Sequence, residues 1–493
     1  VQDGAVTDAP KPLGERIVRG SVWTAARQGV QQASALIQLV VLARLLPPAE
    51  VGLFSMASLV LTITRALTET GLEQALIQRS ELDDDTLDVG FSVVLLRAAL
   101  VAALMSGGST LFAGFFNEPR VAALLRVLAL SMLIEGLISN RVAMLQRTLD
   151  FRRYFFFQAS GQLVGLIATI GFAFWLRNVW AVVYGQVAAS CARVLASYLL
   201  VRRRPRLRLE LAKLRELLGY GRWVGASSVL LFLLVNGDNL FIGKLIGATA
   251  LAYYAWAYQL ANLPPLFVTQ ILSSVMFPAL ASVRTDPERL AELFLRSMKL
   301  TLLLTLPSAA LIAILCEPFT RALLGERWLP IVPITYALTG FGVMRALGAS
   351  AGALFLAVGR PDLRTKIQLA QLALFAGCIY PLYQRFDVLG VASAVTAYGC
   401  LSVYAAYLCF LLCDLALRRL ARPALQVSAA TLAGGLAAWS TAHGLAAYPL
   451  AALVAGSCTG LGVTIGVLVW LDQRDASGYR HELTRALKAL RKR

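Results

Sequence analysis

Histidine is almost missing from this chain: only His443 and His481 occur, in unrelated places. A histidine-based metal centre therefore has little to be built from. Charged residues are also scarce, at 15% against about a quarter in an ordinary soluble domain. No Walker motif, GxSxG, HExxH or paired-cysteine site occurs, and the loops on one side are too short to fold a catalytic domain. ATPase and hydrolase chemistry are thereby excluded. The seven cysteines (Cys191, Cys316, Cys378, Cys400, Cys409, Cys413 and Cys458) all lie in or beside apolar runs and lack metal spacing. They read as small buried hydrophobes rather than disulfides or ligands. No cleavable signal is expected, since Val1 to Pro12 is polar and reads as a disordered tail.

What the chain has in abundance is apolar sequence. Hydrophobic residues make up 58% and mean hydropathy is +0.67, more than a soluble core absorbs, so lipid must be the solvent for most of it. The net charge is +18. Nucleic-acid binding and the cytoplasmic excess of Lys and Arg in membrane proteins both produce such a surplus. The basic residues sit between the long apolar runs and no nucleic-acid module is present, which favours the second and implies no nucleic acid among the partners.

About fourteen transmembrane helices are expected, near 20–43, 51–73, 89–113, 121–140, 159–176, 180–201, 220–243, 248–272, 296–316, 330–357, 366–384, 388–413, 424–442 and 449–471. With the N-terminus inside, the outer loops hold only Arg44, Arg120, Arg177, Lys244, Arg321, Arg327 and Arg385, while the inner loops and tails hold most of the 46 Lys and Arg. That asymmetry predicts N-in and C-in. The acidic loop Glu81 to Asp88 dissents, but acidic residues weigh little in the rule.

An internal repeat divides the chain. Trp23 aligns with Trp223, Arg44-Leu45 with Lys244-Leu245, Asn117-Glu118 with Gly325-Glu326, Val179 with Val388, and Cys191 with Cys400. The expected architecture is an all-α membrane protein with two pseudo-twofold-related six-helix lobes plus two C-terminal helices. The segments are a cytoplasmic tail (1–19), N-lobe (20–201), basic inter-lobe linker (202–216), C-lobe (217–414), extra helices (415–471) and a basic amphipathic tail (472–493). Residues 149–155 read as an interfacial anchor.

Charges inside spans are costly and persist where they face a wet cavity, a partner or a substrate. The candidates are Arg27, Arg65, Glu69, Arg97, Glu135, Arg193, Arg222, Asp238 and Arg345. Arg27, Gln31, Ser34 and Gln38 draw one polar stripe. Arg65 and Glu69, four apart, are either a structural pair or part of a cavity. Arg97 and Arg193 either line it or fix packing, and Arg222 sits where it can snorkel. Asp238 either pairs with an Arg or binds a coupling cation, and Asn239, Tyr258 and Gln31 add polar groups. A cavity rich in Arg suits a polyanionic headgroup, because guanidinium forks match phosphate oxygens in pairs. Arg27, Arg65, Arg97 and Arg345 are the expected headgroup ligands.

Six motifs in order carry a family resemblance: Ala43-Arg44-Leu45-Leu46-Pro47-Pro48-Ala49-Glu50-Val51-Gly52-Leu53-Phe54, Gly71-Leu72 through Gln78-Arg79, Leu145-Gln146-Arg147 through Phe151-Arg152-Arg153, Asp238-Asn239 through Ile242-Gly243, Phe277-Pro278-Ala279-Leu280, and Ala357-Val358-Gly359-Arg360-Pro361-Asp362. The chain resembles the polysaccharide and lipopolysaccharide biosynthesis exporters of the multidrug/oligosaccharidyl-lipid/polysaccharide superfamily, nearer the colanic-acid and teichuronic-acid exporters than the drug extruders. The resemblance implies a MATE-like fold and alternating access without ATP or cofactor. It implies a flippase that carries an undecaprenyl-diphosphate-linked oligosaccharide across the bacterial inner membrane for exopolysaccharide or O-antigen synthesis. It also supports an Arg on helix one, Arg27, in the cavity. Implied partners are the membrane, the polymerase and glycosyltransferases of the pathway, and a coupling H+ or Na+. A cation-coupled drug antiporter and a lipid II flippase are the rival readings.

Overall fold

The computed structural model describes residues 13–68, 84–148, 150–201, 205–208, 232–263, 276 and 279–475. Every regular element among them is helical. In chain order these are α1 (Leu13–Leu45), α2 (Pro48–Leu67), α3 (Asp84–Gly107), α4 (Ser109–Phe116), α5 (Arg120–Gly136), α6 (Val142–Arg147), α7 (Phe151–Leu176) and α8 (Trp180–Leu200). Then come α9 (232–245), α10 (Ala248–Ala261), α11 (Pro287–Phe319), α12 (Ile331–Ala357), α13 (Pro361–Leu412), α14 (Arg418–Gly444) and α15 (Pro449–Asp475). Seven described helices are both long and apolar enough to cross a bilayer, and the chain is a multi-pass membrane protein.

Each expected apolar segment overlaps a helix, with informative differences at the ends. The run 89–113 is broken at Gly108, between α3 and α4. Residues 151–155, read from the sequence as part of an interfacial anchor, are continuous with α7. They form the first turn of α7, and Asp150 accepts a hydrogen bond from the Arg153 N–H at 3.1 Å, satisfying a donor that has no partner within the helix. Asp286 caps α11 in the same way through the Arg289 N–H. The two runs expected at 366–384 and 388–413 lie in one helical stretch, α13, interrupted at Asp387 (φ 51°). Residues 220–231, 264–272, 209–216 and 476–493 lie outside the described residues.

Asn117 (φ 56°) and Gly325 (φ 99°), which the repeat aligns, both take positive φ. Arg177 and Asp387, one residue apart in register, both have φ 51°. Turns that reverse an apolar hairpin need such residues, because the helix has to stop within one position.

The chain divides into two compact units, Val1–Leu251 and Ala252–Arg493. In the first, α7 packs on α8, α1 on α7, α3 on α5, and α5 on α8 and α2. Small residues permit the closest approach: a Cβ on Gly185 would lie 1.9 Å from Thr169 Oγ1, and one on Gly52 only 1.8 Å from the Ala248 carbonyl oxygen. In the second unit, α11 packs against α12, α14 and α15, and α12 against α13. Its core holds Phe294, Phe355 and Phe410, all fully buried. Trp328 is also fully buried and stacks on Trp256 with ring centres 3.8 Å apart.

Two acids of the dissenting loop, Asp85 and Asp88, have partners among the described residues. Asp88 is buried and accepts from the Arg141 guanidinium at 3.4 Å and from the Arg206 backbone N–H at 3.2 Å. Asp85 pairs with Arg208, whose N–H donates to Ser92 Oγ at 2.8 Å. These acids tie the basic segment 205–208 to the start of α3, so their charge is spent locally.

Candidate anion site in the first unit

Three helices bring charge to one point. Near the C-terminal ends of α2, α5 and α8 stand Arg65, Glu135 and Arg193. One oxygen of Glu135 (Oε2) accepts from Arg65 Nη2 at 2.7 Å. The other (Oε1) accepts from Arg193 Nη2 and from Ser190 Oγ at 3.0 Å. A single carboxylate thus spans two guanidiniums from different helices. Local packing sets this up: Gly161 of α7 leaves room for the Arg193 stem, since a Cβ there would sit 2.4 Å from its Cγ. Met132, one turn before Glu135, steadies Arg65 through an Nε to Sδ contact of 3.1 Å.

These residues line a cavity of about 320 Å³ together with Arg97, Ser139, Asn140 and Gln158. The carboxylate is the most enclosed of the ion-pair group, its side chain 17% exposed against 40% for Arg65 and 25% for Arg193. Among the described residues, three guanidiniums and one carboxylate line the cavity. Arg193 Nε, Asn140 Nδ2 and Ser139 Oγ are buried and have no hydrogen-bond partner among the described residues. Buried donors without acceptors are costly, and a ligand rich in acceptor oxygens would satisfy them. Among the described residues no group of three or more His, Cys, Asp and Glu is placed to hold a metal ion.

The expected ligands are distributed unevenly. Arg65 and Arg97 share this cavity. Arg27, half-buried on α1, does not line it, and Gln31 is exposed. Ser34, on the same expected polar stripe, is buried. Glu69 lies outside the described residues, and the carboxylate found on Arg65 is Glu135 from another helix. Asp238 of α9 is buried and accepts from the Asn239 N–H at 2.8 Å and from Asn239 Nδ2 at 3.1 Å. Arg345 belongs to the second unit. Its Nη1 donates to Tyr258 Oη at 3.1 Å and to Asn262 Oδ1 at 3.0 Å, with Asn262 buried. Sequence reasoning flagged Glu135 and Arg193 as charges out of place but did not name them as site residues. The signal that identifies them, one acid between two bases, exists only once the helices are packed.

One motif residue gains a role at the far ends of the same helices. Glu50, in the first turn of α2, pairs with Arg120 at 2.6 Å and accepts the Val179 N–H at 2.8 Å. It caps α8, where a negative charge suits the helix dipole.

A family model described as polysaccharide biosynthesis protein matches residues 41–333. This chain belongs to that family. Among its relatives, lipopolysaccharide biosynthesis protein WzxC of Escherichia coli is 26% identical over 77% of each chain. Teichuronic acid biosynthesis protein TuaB of Bacillus subtilis is 25% identical over 77% of this chain and 79% of its own. In fold, the chain is similar to the lipid II flippase MurJ in its inward closed conformation (TM-score 0.72, 13% identity, covering 93% of this chain and 99% of that one). It is also similar to an inward-facing multidrug resistance MATE family transporter (TM-score 0.64, 15% identity, 78% and 94%). As a member of the polysaccharide biosynthesis family, it is a membrane transport protein and not an enzyme.

Proposed function

We propose that this polysaccharide biosynthesis protein is a flippase that moves an undecaprenyl-diphosphate-linked oligosaccharide repeat unit from the cytoplasmic to the periplasmic leaflet of the bacterial inner membrane, by alternating access. Fourteen spans with both termini inside are the proposed topology. The observation that carries the reading is the first unit's cavity, whose described lining brings Arg65, Arg97 and Arg193 together with the Glu135 carboxylate and leaves three buried donors without partners among the described residues. A diphosphate supplies the missing acceptors, and guanidinium is the side chain best shaped for it. The cavity lies toward the helix ends that also carry the basic segment 205–208, which the positive-inside rule puts in the cytoplasm. That is the leaflet where the proposed cargo starts.

Arg27 and, in the second unit, Arg345 with Tyr258 are proposed as later contacts for the headgroup, and Asp238 with Asn239 as the candidate for ion coupling. A cation-coupled drug antiporter would need acids open to its cavity. The acid here is held between two guanidiniums, which favours the anionic cargo. The test is flipping of a fluorescent polyprenyl-diphosphate disaccharide in proteoliposomes. Wild-type protein should move it, an uncharged polyprenol disaccharide should stay, and movement of the uncharged lipid at an equal rate would overturn the reading.

A further inference from the structure

A carboxylate bound by two guanidiniums is, chemically, a small copy of a phosphate bound by two guanidiniums. Glu135 offers two oxygens about as a phosphate would, one to Arg65 and one to Arg193. Its third contact, Ser190 Oγ at 3.0 Å, is a neutral donor of the sort that also serves phosphate. Glu135 stands at the wall of the cavity, and the two guanidiniums it holds are more exposed than it is. The donors left over, Arg193 Nε, Asn140 Nδ2 and Ser139 Oγ, are not satisfied by Glu135.

From this we infer that Glu135 is a built-in competitor of the cargo headgroup: it holds Arg65 and Arg193 when the cavity is empty, yields them in part when a diphosphate enters, and recaptures them to expel it. The inference rests on the proposed function, since it assumes that the diphosphate enters this cavity. Two physical points lead to it. Two guanidiniums brought together in a half-dry bundle are costly when the site is empty, and the Glu135 carboxylate between Arg65 and Arg193 lowers that cost without closing the cavity. A transporter must also release what it binds. A resident anion that repels the phosphate and competes for its ligands weakens the loaded state, and therefore speeds departure. Glu135 is thus a positioning residue, acting on the cargo through the two arginines.

The consequence runs opposite to an ordinary binding-site mutation. Glu135→Gln keeps the size and one acceptor but removes the charge. Purified full-length protein in detergent should then bind farnesyl diphosphate more tightly, by about tenfold, the effect of lifting one like charge from a half-buried site. In proteoliposomes its KM for the polyprenyl-diphosphate disaccharide should fall, and its kcat should fall as well because release slows. Glu135→Asp, which keeps the charge, should return both toward wild type. Ser190→Ala, which loosens Glu135 and leaves every charge in place, should shift binding the same way by a smaller factor. It serves as the second variant should Glu135→Gln not fold.

The outcomes separate cleanly. Tighter binding with a lowered kcat supports the inference. If wild type binds farnesyl diphosphate in preference to farnesol while Glu135→Gln and Ser190→Ala bind no tighter, Glu135 is a structural counter-ion only; the inference falls and the proposed function stands. If wild type does not distinguish farnesyl diphosphate from farnesol, both fall. Inorganic pyrophosphate distinguishes the source of the phosphate: displacement of farnesyl diphosphate by an equal concentration of pyrophosphate would overturn assignment to a lipid-borne headgroup.

Discussion

Arg65 and Glu135, seventy residues apart in sequence, meet at 2.7 Å at the converging ends of α2 and α5. The contact places a base and an acid, each costly alone in a membrane helix, where each offsets the other. Arg193 completes the group from α8.

Removing one partner should therefore cost more than removing two. Arg193→Gln leaves Glu135 with a single guanidinium. Because the group is part exposed, the loss in stability should be about 1–3 kcal/mol rather than the larger figure for a fully buried pair. The double variant Arg193→Gln with Glu135→Gln should recover part of that loss. Thermal unfolding in detergent measures it, and additivity of the two single effects would contradict the coupling.

Gly161 should be a sensitive position although it carries no chemistry. An added methyl meets the Arg193 stem, which has to move because α8 itself is held by Gly165 and Gly185. Gly161→Ala should lower transport severalfold with a small change in melting temperature, since the obstructing atoms belong to a flexible side chain. Gly52→Ala should instead prevent accumulation of folded protein, because there the obstruction is the Ala248 backbone. Gly29→Ala, with nothing within 4 Å, is the matched control. Expression and fluorescence-detected gel filtration distinguish the three.

At the opposite ends of these helices, Glu50→Ala removes both the cap on Val179 and the partner of Arg120. A loss of about 1–2 kcal/mol is expected, typical of a charged cap and its ion pair. The KM for cargo should not change, because the residue is remote from the cavity. A raised KM at unchanged melting temperature would show that Glu50 takes part in transport.

The proposed orientation has a direct check. On a cysteine-free background, single cysteines at Arg206 and at Arg327 should differ in labelling of intact cells by an impermeant maleimide. Arg327 should react and Arg206 should not. The reverse pattern would invert the topology.

How much of this was legible in the chain depends on which physical rule is at work. Span positions were readable because lipid imposes a long apolar run on every crossing helix. The repeat is read from aligned residue identities, such as Trp23 with Trp223 and Cys191 with Cys400. The intramembrane charges were readable as anomalies, Arg65, Arg97, Glu135 and Arg193 among them. Their partnership was not. Periodicity reports which face a residue occupies on its own helix and says nothing of which helix lies opposite. Hence Arg65 reads from the sequence as either a partner of Glu69, one turn on, or part of a cavity, and the Glu135 carboxylate that the packed helices bring to it is not legible there. Glu50 was legible only as a motif letter, since its contacts, Arg120 and the Val179 N–H, lie far along the chain. Asp150 is a similar case: the sequence offers the aromatic and basic residues after it as a surface anchor, and its own part, starting a helix through the Arg153 N–H, shows only in the fold.

The central claim is that Arg65, Arg97 and Arg193 bind the diphosphate of a lipid-borne cargo. The most direct measurement is the affinity of the purified protein for farnesyl diphosphate, before and after Arg97→Gln, compared at equal folded fraction. Arg97 is the choice because, of the three, it takes no part in the Glu135 ion pairs. Its neutralisation should weaken binding by about tenfold, as expected for one charge-assisted contact to phosphate, and leave farnesol binding untouched. Unchanged affinity for farnesyl diphosphate would contradict the account.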